Sequence, residues 1–98
     1  MDKTTALKIA RASVSKPFVG INTSWTFTSS WKGIDGPHTE TRCDSYSTAL
    51  KCRKETIVEI AAELMGIDKE IYLSVLYRDD GFSSAQTLLD DTIAANSA

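Results

Sequence analysis

The fold is decided in the stretch Phe18-Val19-Gly20-Ile21-Asn22-Thr23-Ser24-Trp25-Thr26-Phe27-Thr28-Ser29. Val19, Ile21, Thr23, Trp25 and Phe27 occupy alternate positions, and Asn22, Ser24, Thr26 and Thr28 fill those between. Successive side chains of a strand point to opposite faces, and β-branched and aromatic residues suit a half-buried pleated surface. The spacing therefore predicts one strand over 18–29 with its odd-numbered face in the core.

Downstream, Trp31 to His38 carries two glycines and a proline and reads as a loop. Thr39, Thr41 and Cys43 then alternate with Glu40 and Arg42, the pattern of a returning antiparallel strand with one wet face. Residues 46–65 follow as the clearest helix. Tyr46, Ala49, Leu50, Ile57, Ile60, Ala61 and Leu64 build its apolar stripe. Ser45 or Ser47 caps its start, and Gly66 stands where a left-handed C-terminal cap belongs.

Residues 69–78 are a short apolar run in which periodicity alone does not separate helix from strand. Asp68 as an N-cap and the apolar set Ile71, Tyr72, Val75 and Leu76 favour helix, while the wealth of Ile, Tyr and Val keeps strand as the alternative. Asp79-Asp80-Gly81 reads as a turn. Ser83 with Gln86 forms a capping-box pattern before a last helix striped by Leu88, Leu89, Thr92 and Ile93.

Upstream of the strand, Ala6, Leu7, Ala10 and Val14 recur at helical spacing over 3–14, and Pro17 is expected to close that helix. The expected fold is thus α+β, a small antiparallel sheet of two or three strands packed against helices. Its order is α-β-β-α-α-α, or α-β-β-α-β-α if 69–78 is a strand. Its 98 residues fit a single domain over 1–98.

Composition narrows the class further. With 42% hydrophobic and 24% charged residues the chain is ordinary globular material. No apolar run approaches the roughly 20 residues of a membrane-spanning helix. Lys3, Lys8 and Arg11 break up the opening segment, so no signal-peptide core of about 7–15 apolar residues forms there, and cytoplasmic residence is expected. Cys43 and Cys52, eight residues apart, match no zinc spacing and are expected as free thiols.

No chemistry-bearing motif emerges. His38 is the single histidine, and no nucleophile lies near it in sequence. Asp79-Asp80 and Asp90-Asp91 are adjacent acids, which do not face one another on a helix and lack the alternation of a calcium loop. Ser13-Val14-Ser15-Lys16 carries a bare Ser-x-x-Lys pattern without the companion motifs of penicillin-recognising enzymes. Neither a cofactor loop nor a metal cluster is expected.

The distribution of charge is uneven. Residues 1–54 carry nine basic and four acidic side chains, net +5, and residues 55–98 carry two basic and nine acidic, net −7. Such halves can neutralise each other within the fold, can present a basic surface to an anionic partner, or can drive association. The candidate contact residues are Trp31, Lys32, His38, Arg42, Lys51, Arg53 and Lys54. Trp31 is singled out because tryptophan anchors interfaces and this one sits beside a lysine at a loop entrance.

The expected function is a non-enzymatic protein-interaction or regulatory domain whose partner is another protein or a second copy. The first alternative is nucleic-acid binding, with Trp25, Phe27, Trp31, Lys32 and Arg42 as an aromatic and basic sheet face. A pI near 5.3 argues against it. A small enzyme built from dispersed carboxylates and His38 is the second alternative.

Overall fold

A computed structural model describes residues 1–30 and 39–97. The loop expected over 31–38 lies outside the described residues, and so do Trp31, Lys32 and His38. Four helices and a three-stranded antiparallel sheet follow one another as α1 (Lys3–Ala12), β1 (Phe18–Val19), β2 (Trp25–Ser29), β3 (Thr39–Cys43), α2 (Tyr46–Leu64), α3 (Lys69–Arg78) and α4 (Ala85–Ser97). The fold class is the α+β layering read from the sequence, and 69–78 is helical. The third strand comes from elsewhere: the segment read as one strand is a hairpin.

That hairpin is the main correction to the sequence reading. Asn22 and Thr23 take φ of 60° and 59°. Two consecutive positive φ values at the centre of Ile21–Ser24 make the tight reversal that joins antiparallel strands with native twist. Ser24 N–H donates to Ile21 O at 3.3 Å and Gly20 N–H to Ser24 O at 2.8 Å. The chain folds back so that Phe18 faces Thr26 and Val19 faces Trp25.

Val19 and Ile21, expected in the core, are consequently exposed by 58% and 67%. Thr26, expected on the wet face, is buried beside Phe27. Gly20 explains part of this, since a Cβ there would stand 2.6 Å from Thr26 Oγ1. The backbone of the hairpin lies directly over the threonine.

The sheet order is β1-β2-β3, with Trp25 opposite Cys43, Phe27 opposite Thr41 and Ser29 opposite Thr39. Phe27 is the sheet's main apolar contribution to the core. The helices supply the rest. From α2 come Ile57, Val58, Ile60, Ala61 and Ala62, flanked by Ala6, Leu7 and Ala10 of α1, Tyr72 and Val75 of α3, and Leu88 and Leu89 of α4.

The C-terminal half of α2 is buried on several sides by Ile57, Val58, Ile60, Ala61 and Ala62, and Glu55, Glu59 and Glu63 take positions between them that keep some contact with solvent. In its N-terminal turns Ala49 is buried, as the sequence stripe predicts, but Tyr46 and Leu50 of the same stripe are 48% and 42% exposed. Tyr46 packs edge-on against Trp25, ring centroids 4.7 Å apart at 62°.

Local capping chemistry sets the helix ends. Asp2 accepts from Thr5 N–H at 2.8 Å and caps α1, and that bond is the first cause holding its carboxyl below the usual range. The helix stops at Ala12, before the expected 14, because Val14 leaves the helix to bridge Ser29 on the sheet while its side chain stays in the core. Ser45 caps α2 through Thr48 N–H. Gly66, at φ 77°, closes α2, with Ile67 N–H donating to Ala62 O and Gly66 N–H to Glu63 O. This is a Schellman arrangement, which requires the left-handed residue.

Asp68 caps α3 through Glu70 N–H. The cap of α4 is Ser84, accepting from Thr87 N–H at 3.1 Å, one residue beyond the expected Ser83 with Gln86. Ser83 is committed instead to Asp79, 2.7 Å away. No helix among the described residues is long and apolar enough to cross a membrane.

Candidate interaction surface

The described members of the sequence-derived contact set divide by where their charges go. Arg53 is partly buried, and its Nε donates to Ser15 O at 2.8 Å and its Nη2 to Val14 O at 3.4 Å. It ties α2 to the extended segment between α1 and β1. Burial first, then the Arg11 charge, lowers its proton affinity.

Lys54 also points inward. Its Nζ donates to Ser83 O at 2.7 Å and Gly81 O at 3.2 Å, and stands 3.6 Å from Asp79 Oδ2. Lys51 and Arg42 are exposed. Arg42 lies on β3 and donates from Nε to Glu40 Oε1 at 2.9 Å along the same strand.

Ion pairs join the uneven halves at Lys3–Asp90 and Lys54–Asp79. Lys3 reaches Asp90 at 2.6 Å, joining α1 to α4 on the surface, and Lys54 reaches Asp79. The other pairs, Arg42–Glu40 and Lys69–Glu59, stay within one half each. Part of the asymmetry is thus neutralised inside the domain.

The acidic pairs do not converge on a ligand site. Asp79 accepts from Ser83 Oγ through Oδ1 and faces Lys54 through Oδ2, while Asp80 accepts from Phe82 N–H at 3.1 Å in the turn. A shallow cleft of about 620 Å³ runs between the end of α3 and α4, with Arg78, Asp79, Asp80, Ser83 and Asp91 on its polar wall. Among the described residues no three His, Cys, Asp or Glu side chains are placed to hold a metal ion.

Cys43 and Cys52 are free thiols, the first buried and the second half-buried. Burial, and then the neighbouring Cys43, push the Cys52 thiol up, which disfavours the reactive thiolate. Tyr72 is buried with its hydroxyl donating to Glu55 O at 2.8 Å, and burial raises its phenol well above the ordinary value.

Sequence reasoning missed the exposed apolar residues. Phe18, Val19 and Ile21 are exposed by 45%, 58% and 67% within four positions at the β1 side of the sheet. Val19 sits opposite Trp25, which in turn contacts Tyr46, so the apolar surface continues from the hairpin to the start of α2. Tyr77 and Phe82 stand out separately around the α3–α4 turn, exposed by 85% and 89%. The signal available in sequence was Asn22, a residue that tolerates the left-handed conformation and could have marked the turn.

Comparison with protein-family models, with curated proteins and with solved structures found no match.

Proposed function

We propose that this chain is a non-enzymatic protein-interaction domain, and that its contact surface is the apolar hairpin at the β1 side of the sheet. One observation carries the reading: Phe18, Val19 and Ile21 are all exposed within one hairpin, and Val19 stands opposite Trp25, which packs on Tyr46, while Phe18 opens on the other face of the strand. Large apolar side chains grouped on one exposed hairpin cost solvation unless a partner covers them, and aromatic residues are the usual anchors of protein interfaces. Trp31, Lys32 and His38 stay candidates from the sequence alone, outside the described residues, and the exposed cations Arg42 on β3 and Lys51 on α2 are not part of the hairpin.

The nucleic-acid alternative has less support. Phe27, one of its aromatic platform residues, is buried in the core, and Trp25 lies edge-on to Tyr46. Of its cations, Arg42 is paired with Glu40, and Arg53 and Lys54 donate to carbonyls. The same reading assigns the protein to the cytoplasm, where two unpaired thiols persist.

The test is capture of a partner from host extract by the full chain and by the triple variant Phe18→Ser/Val19→Ser/Ile21→Ser, with circular dichroism to check folding. A folded variant that no longer retains the partner is the expected result. Equal retention would remove the hairpin as the contact. Binding to an oligonucleotide with steep salt dependence would return the nucleic-acid alternative.

A further inference from the structure

Among the described residues β3 is an edge strand, and its outward main-chain groups can be identified. Thr28 N–H is bonded to Ser15 Oγ and Thr28 O accepts from Ser15 N–H, while Ser24 O accepts from Gly20 N–H. Even-numbered residues of β2 therefore direct their peptide groups toward the β1 side, and odd-numbered ones toward β3. Given the register Trp25–Cys43, Phe27–Thr41 and Ser29–Thr39, it is Thr39, Thr41 and Cys43 that bond to β2. Glu40 and Arg42 turn their N–H and C=O groups away from β2, to the edge that no described strand covers, and both side chains are exposed.

The sequence of this edge, Thr39-Glu40-Thr41-Arg42-Cys43, has opposite charges placed symmetrically about Thr41. We infer that β3 pairs antiparallel with β3 of a second copy across a two-fold axis at Thr41, joining two three-stranded sheets into one of six strands. In that register Glu40 faces Arg42 of the other copy and Arg42 faces its Glu40. Both are hydrogen-bonded pairs, because these are the residues whose peptide groups point outward.

Thr41 faces Thr41 at the closer, non-hydrogen-bonded spacing, where threonine pairs are favourable. A shift by two residues in either direction sets Glu40 against Glu40 or Arg42 against Arg42, and like charges directly opposite are destabilising. Charge therefore selects one register. β3 contains no proline and no bulge, two of the devices that close an edge to pairing. This edge lies across the sheet from the hairpin proposed as the partner-binding surface, so the inference goes beyond that reading and does not depend on it.

Sedimentation equilibrium on the full chain tests it. The expected result is a mass that rises from 10.7 kDa toward twice that value with concentration. Arg42→Glu and Glu40→Arg should each weaken the dimer at least about tenfold, because each turns both cross-strand pairs into like-charge pairs. Mixing the two variants restores opposite charges at both pairs and should restore the dimer.

Both substitutions are on the exposed face, and circular dichroism confirms that each variant is folded. A constant mass of 10.7 kDa up to about 1 mM protein, or single variants that dimerise like the unaltered chain, would overturn the inference. So would a mixture that stays monomeric. Each of these outcomes leaves the hairpin surface untouched.

Discussion

Lys54 and Asp79 are the most consequential pair of charges in the domain, and Lys54→Met tests why. Their side chains are only 14% and 6% exposed, and Asp79 Oδ2, without a hydrogen bond, stands 3.6 Å from the ammonium. The same ammonium satisfies Ser83 O and Gly81 O, which are otherwise left in the α3–α4 turn. Methionine keeps the aliphatic length but leaves a carboxylate buried without its counter-charge. Removing one member of a buried pair costs about 3–5 kcal/mol in general. Since Ser83 still donates to Oδ1, the lower end applies, about 3 kcal/mol.

Urea unfolding followed at 222 nm reads this as a drop in midpoint at constant slope. In a domain of this size that is a large part of a total on the order of 5–10 kcal/mol. The pH dependence sharpens the test. Asp79's carboxyl is held below its ordinary value, first by the Ser83 hydroxyl, against the opposing effect of burial, and then by Lys54. A depressed folded-state pKa gives stability that is fully present above the unfolded value near 3.9 and is lost as pH falls through the folded one. The gap between the native chain and Lys54→Met should therefore narrow below about pH 4. A loss under 1 kcal/mol at pH 7, or a gap unchanged down to pH 3, would refute the buried-pair account.

Three further substitutions probe the turn, the core and a cap. Thr23→Gly relieves a β-branched residue at φ 59°, a conformation costing roughly 1–2 kcal/mol for an L-residue; less the greater chain entropy of glycine, a gain of about 0.5–1 kcal/mol is expected, read as a higher Tm. Tyr72→Phe removes the hydroxyl bonded to Glu55 O and should cost about 1 kcal/mol. In the native chain, absorbance at 295 nm should show Tyr72 ionising only when the protein unfolds. Gly66→Ala should cost about 1 kcal/mol in denaturant midpoint through backbone conformation alone, because no atom lies within 4 Å of the added Cβ at φ 77°.

The helices were legible because their signals are local. Asp68 and Ser45 cap within their own first turn, Gly66 closes α2, and the apolar spacing of Leu88, Leu89 and Thr92 needs only one buried side. The hairpin was not, because period two ran unbroken through its turn. Asn22-Thr23 lacks the second-position glycine that marks a two-residue reversal, and Thr23 is itself a strand-forming residue. Once the chain reverses, the parity of one arm says nothing about the other. That is how Val19 and Phe27, of equal parity, come to be exposed and buried respectively.

The charged residues misled for a different reason. Arg53 and Lys54 were read as surface cations because their partners are main-chain carbonyls, at Ser15 and Val14 in one case and at Gly81 and Ser83 in the other. A carbonyl carries no sequence signature, so a cation that caps one 27 to 39 residues away looks like a free charge. Arg42 is the opposite case. Its alternation with Glu40 marked only a wet face, which says nothing about partners while a strand's neighbours are unknown. Among the described residues the sheet order makes β3 an edge, and the hydrogen bonds of Thr28 show which of its peptide groups point away from β2. Only then does the sign pattern about Thr41 acquire a meaning, since a charge sequence that reverses on rotation complements itself in one antiparallel register and repels itself in the neighbouring ones.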